Sequence, residues 1–386
     1  MDASLPPLGD QRHLFDIEDG TVFLNAASKS MLLKASIEAG RTGAAAKGQP
    51  WKIDEPARYV QADDIRERFA SLIGATGDDI AIQPAASYGV ATAAKNLTAK
   101  PGQRILVIEG QFPSNVYAWQ RLADETGAVL STVPWPGNGD WTRAVIDMID
   151  DDVAIAALPP CHWTDGSLVD LSRIAPKLKD AGAVFLIDAT QWVGAVPIDV
   201  KALQADYLVC AAYKWLLGPY GLSFMYAAPA RQEGLPLEDH LFNHGGVDSI
   251  TGGLGYPEAF TTGARRYDAG EYLSLITLPM IQVALTQLQE WTPARVADAI
   301  APITARIAEG AEDLGLEIAP KAFRTPHILG IRRPGGFPAD IAARLAAANV
   351  HVSSRGGAVR VSPHLCNHME DADEFLVRIG STLHNT

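Results

Sequence analysis

Short apolar runs recur between residues 20 and 230, separated by stretches in which apolar residues return every three or four positions. The runs are IAI (80–82), RILVI (104–108), AVLSTV (128–133), VAIAAL (153–158), VFLID (184–188), DYLVC (206–210) and LSFMY (222–226). A short, almost wholly apolar run bounded by turn residues predicts a strand buried on both faces. The stretches 58–73, 87–97, 115–126 and 170–181 carry the helical period. Strands alternating with helices predict an α/β fold, a mostly parallel sheet sandwiched by helices. The pattern changes after residue 230. Residues 232–272 are rich in Gly, Asn and Asp, which predicts a long functional loop region. A helical pattern over 275–291 then leads to helices at 294–314, 338–349 and 370–383 and short strands near 316–319, 328–331, 350–353 and 358–361. The expected division is a lead-in segment (1–20), a large domain (21–274) and a bridging helix with a small α+β C-terminal domain (275–386).

In open α/β sheets ligands gather at the carboxyl ends of the strands. There this sequence places an acid, Asp188, after VFLID, and an amine, Lys214, after DYLVC. It also places the helix start PAASYG (84–89), the aromatic Phe112 in EGQFPSN, and the polar loop CHWTDG (161–166). A lysine delivered by a buried strand into AAYKWLLGPYG is unusual, because most lysines sit on solvated surfaces. Pyridoxal 5′-phosphate (PLP) uses all these parts. It needs a lysine for a Schiff base and a carboxylate against its pyridine nitrogen. Its phosphate suits a helix N-terminus, where free N–H groups and the macrodipole favour an anion. An aromatic ring can stack on its face.

Composition narrows the class further. The chain has 386 residues, 47% hydrophobic and 20% charged, which fits a globular protein with a large core. A net charge of −13 argues against nucleic acid or an anionic membrane as partner. No apolar run approaches the roughly 18 residues of a membrane span. The start, MDASLPPLGDQRHLF, has no secretory-signal pattern. Cys161, Cys210 and Cys366 have neither disulfide-framework nor zinc spacing, so a reducing cytoplasm and no metal are expected.

From FLNAAS (23–28) to RGGAVRVSPHLCN (355–367) the chain resembles the class V aminotransferase family of fold-type I PLP enzymes. That family includes cysteine desulfurases, kynureninases and isopenicillin N epimerase-like proteins. The most specific segment is DATQWVGAVPIDVKALQADYLVCAAYKWLLGPYG (188–221), with Asp188 and Lys214 26 positions apart. The resemblance implies that Lys214 carries the Schiff base and Asp188 pairs with the pyridine nitrogen. It places Gln191 near the ring hydroxyl or phosphate and gives Tyr213 a hydrogen bond to phosphate. ASYG (86–89) matches the phosphate-binding turn, so Ser87 and Tyr88 are cofactor candidates. QFPSNVYAW (111–119) makes Phe112 the stacking residue. Arg360 matches the arginine that binds the substrate carboxylate, with Arg355 second and Asn25 a further substrate contact. His162 and Asp165 lie in the loop that approaches the ring hydroxyl in relatives, with His162 as a second acid/base. A homodimer with active sites at the interface is implied too.

Two departures matter. ARRYDAGEYLS (264–274) resembles a stretch that reaches a neighbouring subunit's phosphate, but Glu271 stands where relatives have a hydroxyl residue. Residues 350–359 hold no cysteine, where desulfurases carry one before the carboxylate arginine, so a persulfide mechanism is not expected. The expected activity is transamination of an amino acid or small amine. A PLP-dependent β-lyase (C–S or kynureninase-like C–C) or an epimerase is the alternative. A nucleotide-binding protein with a structural Lys214 is disfavoured, because no G-x-G-x-x-G opens an early βαβ unit.

Overall fold

A computed structural model describes residues 6–245 and 256–384; the centre of the predicted loop region, 246–255, lies outside the described residues. The strands in chain order are β1 (Val22–Phe23), β2 (Ile80–Gln83), β3 (Arg104–Ile108), β4 (Val129–Val133), β5 (Val153–Leu158), β6 (Val184–Asp188), β7 (Tyr207–Ala211) and β8 (Ser223–Ala227). The remainder are β9 (Glu317–Ile318), β10 (Leu329–Arg332), β11 (Val350–His351), β12 (Ser353–Arg355) and β13 (Ala358–Val361). Each of the seven apolar runs is a strand of one seven-stranded sheet, ordered β2-β8-β7-β6-β5-β3-β4. Only β8 runs against its neighbours. The strands β7 and β8, apolar but for Ser223, are buried throughout, whereas the mixed run VLSTV forms the edge strand β4, with Val129 exposed.

This topology decides where chemistry can happen. β2, β3, β5, β6 and β7 all run one way, so the residues following them emerge on the same edge of the sheet. The antiparallel β8 starts on that edge, which adds Tyr220–Leu222 to it.

The helices match their predicted places with shifted ends. The helix predicted over 58–73 begins at Glu55, because the Asp54 carboxylate accepts from Ala57 N at 3.2 Å and Pro56 suits a first turn. The helix Lys34–Ala46 is not predicted by the periodicity. Its glycines explain why: a Cβ on Gly40 would meet Met280 Sδ at 2.7 Å, and one on Gly43 would meet Leu275 O at 1.8 Å. Close backbone approach to helix Thr277–Trp291 replaces an apolar stripe here.

A second core gathers Val22 and Leu24 from the N-terminal part with Ile303, Ile307, Leu329, Val359, Val361 and Phe375. It covers one face of an antiparallel sheet ordered β12-β13-β10-β9, beside the parallel pair β1–β11. The run predicted at 350–353 thus divides between two sheets. Ala26 N donates to Ser362 O at 3.0 Å, and Ser362 N to Leu24 O at 2.8 Å, which joins residues 24–26 to the end of β13.

The end of the predicted loop region is pinned by charge. Asp268 and Arg66 are both 1% exposed and form an ion pair, and Asp268 also accepts from Ile82 N at 2.7 Å. Among the described residues, no helix is long and apolar enough to cross a membrane.

Removing Asp268 would leave the buried Arg66 guanidinium with only the more exposed Asp63 carboxylate as an ion-pair partner. Asp268→Ala is expected to lower stability by about 3–5 kcal/mol in denaturant unfolding. Asp268→Asn, which keeps an acceptor for Ile82 N, is expected to lose less.

Candidate active site

The common edge of the parallel strands encloses a cavity of about 200 Å³. Asp188, the last residue of β6, stands in its wall and accepts from Thr190 N at 3.1 Å. Burial pushes its carboxyl pKa up, opposed by the Thr190 bonds and the Lys214 charge. Lys214 follows β7. The backbone there folds sharply, with Leu217 N donating to Lys214 O and Gly218 N to Ala212 O. A Cβ at Gly218 would lie 2.9 Å from Ala212 Cβ and 2.6 Å from Ile281 Cδ1, so a side chain there would displace its neighbours.

Lys214 is 6% exposed. Its Nζ lies 5.5 Å from the Phe112 ring centroid and 5.6 Å from that of Tyr213. Burial holds its pKa down to about 8; Asp188 opposes this and Arg360 adds to it. A substantial fraction of such an amine is neutral near pH 8 and able to attack a carbonyl.

The helix Ala86–Lys95 opens against the same cavity, where Ala85, Ala86 and Ser87 line the wall. No side chain caps this helix, so first-turn N–H groups are left for a ligand. Phe112 stands edge-on to Trp163, with centroids 5.4 Å apart. Tyr213 stacks on Tyr220 at 4.4 Å at the more exposed side. Gln191 lines the wall, but its amide is taken: Nε2 donates to Ala27 O and Oε1 accepts from Trp215 Nε1, each at 2.9 Å.

Arg360 is 1% exposed on β13. It donates to Trp163 O, its Nε has no partner, and no carboxylate pairs with it among the described residues. Burial, then Arg355, hold its pKa down to about 10. Asn25 bridges to Ser362 beside this strand, and its buried Oδ1 is also without a partner.

Besides Arg360, Arg355 and Asn25, three expected site residues are not in the cavity wall. His162 is buried with its ring stacked on Trp141, centroids 5.3 Å apart. Its Nε2 lies 3.0 Å from Glu109 O and its Nδ1 2.7 Å from Thr164 Oγ1. A carbonyl only accepts, so Nε2 carries the proton and Nδ1 accepts from the hydroxyl; neither nitrogen is left for acid–base work. Asp165 accepts from Ser167 N at 3.0 Å and Ser167 Oγ at 2.8 Å and pairs with Arg332 at 3.3 Å, which holds its loop against β10. Tyr88 turns to Glu238; burial first, then that carboxylate, push its phenol pKa up. None of these three lines the cavity, and each is held by partners within the chain. Conversely, Cys161, Trp163, Thr190 and Tyr220 line the cavity unforeseen. Their signal was position: each follows or precedes a strand at the common edge.

The donor set fits PLP: a buried carboxylate, a buried amine of lowered pKa, an uncapped helix start and an aromatic face converge on one cavity. Among the described residues no cluster of His, Cys, Asp or Glu could hold a metal ion.

Comparison with known proteins agrees. The family model described as aminotransferase class-V matches residues 55–386. An uncharacterized aminotransferase of Bacillus subtilis (strain 168), YcbU, is 27% identical over 342 residues, 88% of this chain and 87% of that one. A probable cysteine desulfurase of Pyrococcus abyssi is 28% identical over 166 residues, 42% of this chain and 41% of that one. A solved structure of a C-DES mutant, with glycine covalently linked to its PLP cofactor, superposes with a TM-score of 0.86 at 17% identity. It covers 96% of this chain and 99% of that one. The chain belongs to the class V aminotransferase family and is a PLP-dependent enzyme of fold type I. Relatives named desulfurase do not support setting that chemistry aside, as the missing cysteine in 350–359 suggested.

The lowered pKa of Lys214 has a stability consequence. Below about pH 8 the folded, cofactor-free protein bears the full cost of a buried ammonium. Between about 8 and the ordinary 10.5 the unfolded chain binds the extra proton, so stability rises with pH. Lys214→Met is therefore expected to be more stable than wild type at pH 7, by about 3 kcal/mol. The gain should fade to nothing above about pH 10.5 in denaturant titrations of the cofactor-free proteins.

Proposed function

We propose that this class V enzyme transaminates an α-amino acid, with Lys214 as the residue that binds the cofactor's aldehyde carbon covalently. One observation carries the reading. A buried amine of lowered pKa and a buried guanidinium without a carboxylate lie within electrostatic reach of each other beside one cavity. An α-amino acid brings the two groups that such a pair receives, an amine and a carboxylate. Coverage of most of both chains by the YcbU aminotransferase supports transamination over the alternatives.

When bound, PLP supplies an electron sink that stabilises negative charge at the substrate Cα. The chain's own groups do the rest. Asp188 would keep a proton on the pyridine nitrogen, and its burial beside Thr190 fixes the carboxylate for that bond. The free N–H groups at 86–87 and the Ser87 hydroxyl would hold the phosphate, with Tyr213 beside them. Phe112 would cover one ring face. Arg360, with Asn25, orients the substrate by its carboxylate. Lys214, once released, would take the proton from Cα as general base and deliver it to the cofactor's aldehyde-derived carbon, the transfer that transamination needs.

A β-lyase is the second reading, favoured by the desulfurase relatives. All three cysteines are buried. A homodimer belongs to this proposal, and an active monomer in light scattering would remove that part.

The test follows the visible absorption of the PLP-loaded protein while single amino acids are added without a keto acid. Lasting conversion to the amine form of the cofactor, with one keto acid per site, supports transamination. A band that returns while sulfide, or a cleaved product, accumulates makes the protein a lyase. Arg360→Gln is expected to lower kcat/KM for the responsive amino acid about 30-fold or more, mostly through KM, because it removes a buried charge-assisted contact. An unchanged KM would sink the assignment of Arg360.

A further inference from the structure

Register on the small sheet identifies which side chains share a face. Arg360 pairs with Gly330 on one side and Ser353 on the other, and Arg355 pairs with Ala358. Side chains alternate along a strand, so Ser353, Arg355, Ala358, Arg360 and Gly330 all project to one face. Leu329, Ile331, Val359 and Val361 project to the other, where they form the second core. The first face meets the active-site loop: a Cβ on Gly330 would lie 2.3 Å from Asp165 Cβ, and one on Gly356 would lie 3.5 Å from Thr164 Cβ.

This face carries more positive charge than one α-carboxylate needs. Arg332 also projects to it, but Asp165 neutralises that guanidinium at 3.3 Å. Arg355 and Arg360 have no carboxylate partner among the described residues, although the whole chain carries a net charge of −13. Arg355 donates only to the neighbouring Ser354 carbonyl, at 2.9 Å. Ser353, 6% exposed and directly opposite Arg360, has a buried hydroxyl without any partner, and Arg360 Nε is equally unpartnered. Diagonal neighbours on a sheet lie about 7–8 Å apart, a spacing that two acid groups of one small molecule can bridge. The two guanidiniums also sense each other, since Arg355 helps hold the Arg360 pKa down. An additional anion would relieve that repulsion.

We infer that Arg355 and Ser353 form a subsite, beside Arg360, for a second acidic group, so that the preferred substrate is a short amino acid with an acidic side chain. Carboxylate, sulfinate and sulfonate share the required chemistry: two or more anionic oxygens on one atom, spaced to accept paired N–H donors. The inference rests on the reading of Arg360 as the α-carboxylate residue.

The test is equilibrium binding to the PLP-loaded protein, by calorimetry, of two unreactive four-carbon acids. Succinate carries two carboxylates and butyrate one. Wild type is expected to bind succinate at least about tenfold more tightly, the effect of one added charge-assisted contact. Arg355→Gln should erase that ratio, and Arg355→Lys, which keeps the charge but not the planar fork, should retain part of it. Because Arg355 is only half-buried, both variants are expected to fold, checked by an unchanged cofactor spectrum. Equal binding of the two acids by wild type, or an undiminished ratio in Arg355→Gln, overturns the inference while leaving the aminotransferase reading intact. If Arg360→Gln leaves both affinities unchanged, the reading of Arg360 falls and takes this subsite with it.

Discussion

Two cations, Lys214 and Arg360, are buried beside one cavity without an ion-paired carboxylate, and much of the structure serves to hold them there. Burying an unpaired charge is costly, so the surrounding scaffold must be stable enough to bear it. The supply is visible. β7 and β8 are buried along their whole length, and the turn after Lys214 is closed by Gly218 against Ile281. Arg360 is fixed by the strand pairing of β13 on both sides and by the Trp163 carbonyl. Such a scaffold lets these cations wait for an anion instead of collapsing onto one of the protein's own carboxylates.

The contrast with Arg66 shows that this is a property of the site and not of buried arginines in this fold. Arg66 is as buried as Arg360, yet it meets Asp268 and Asp63. That charge is compensated within the chain, and its effect is mechanical: it fixes the end of the loop region to β2. Arg332 stands between the two cases, satisfied by Asp165 at the rim of the same face. The division of labour among these arginines follows from where carboxylates stand, and a carboxylate is missing only where a ligand would bring one.

Much of this was legible in the sequence because buried strands leave a strong apolar signature. All seven runs became strands of one sheet, and the common direction of most of them brought Asp188, Lys214, Ser87 and Phe112 to one cavity. The helix Lys34–Ala46 was not legible, because its packing rests on the absence of side chains at Gly40 and Gly43, which leaves no periodic mark. The division of the 350–353 run between two sheets was equally silent. A two-residue parallel pairing with β1 depends on a partner more than three hundred positions away.

The site residues that failed to reach the cavity share one cause. His162, Asp165 and Tyr88 lie in the right loops, and position in a loop does not fix direction. Each has a competing local partner: Thr164 and the Glu109 carbonyl for His162, Ser167 and Arg332 for Asp165, Glu238 for Tyr88. A polar side chain turns to the partner that satisfies it within the folded chain, and only those left unsatisfied remain available to a ligand. Arg360, Asn25 and Ser353 each keep a buried polar atom without a partner, and Lys214 lines the cavity without an ion-paired carboxylate. Direction set by local partners, and not proximity in sequence to the reactive lysine, therefore decides which of these side chains stay available to a ligand.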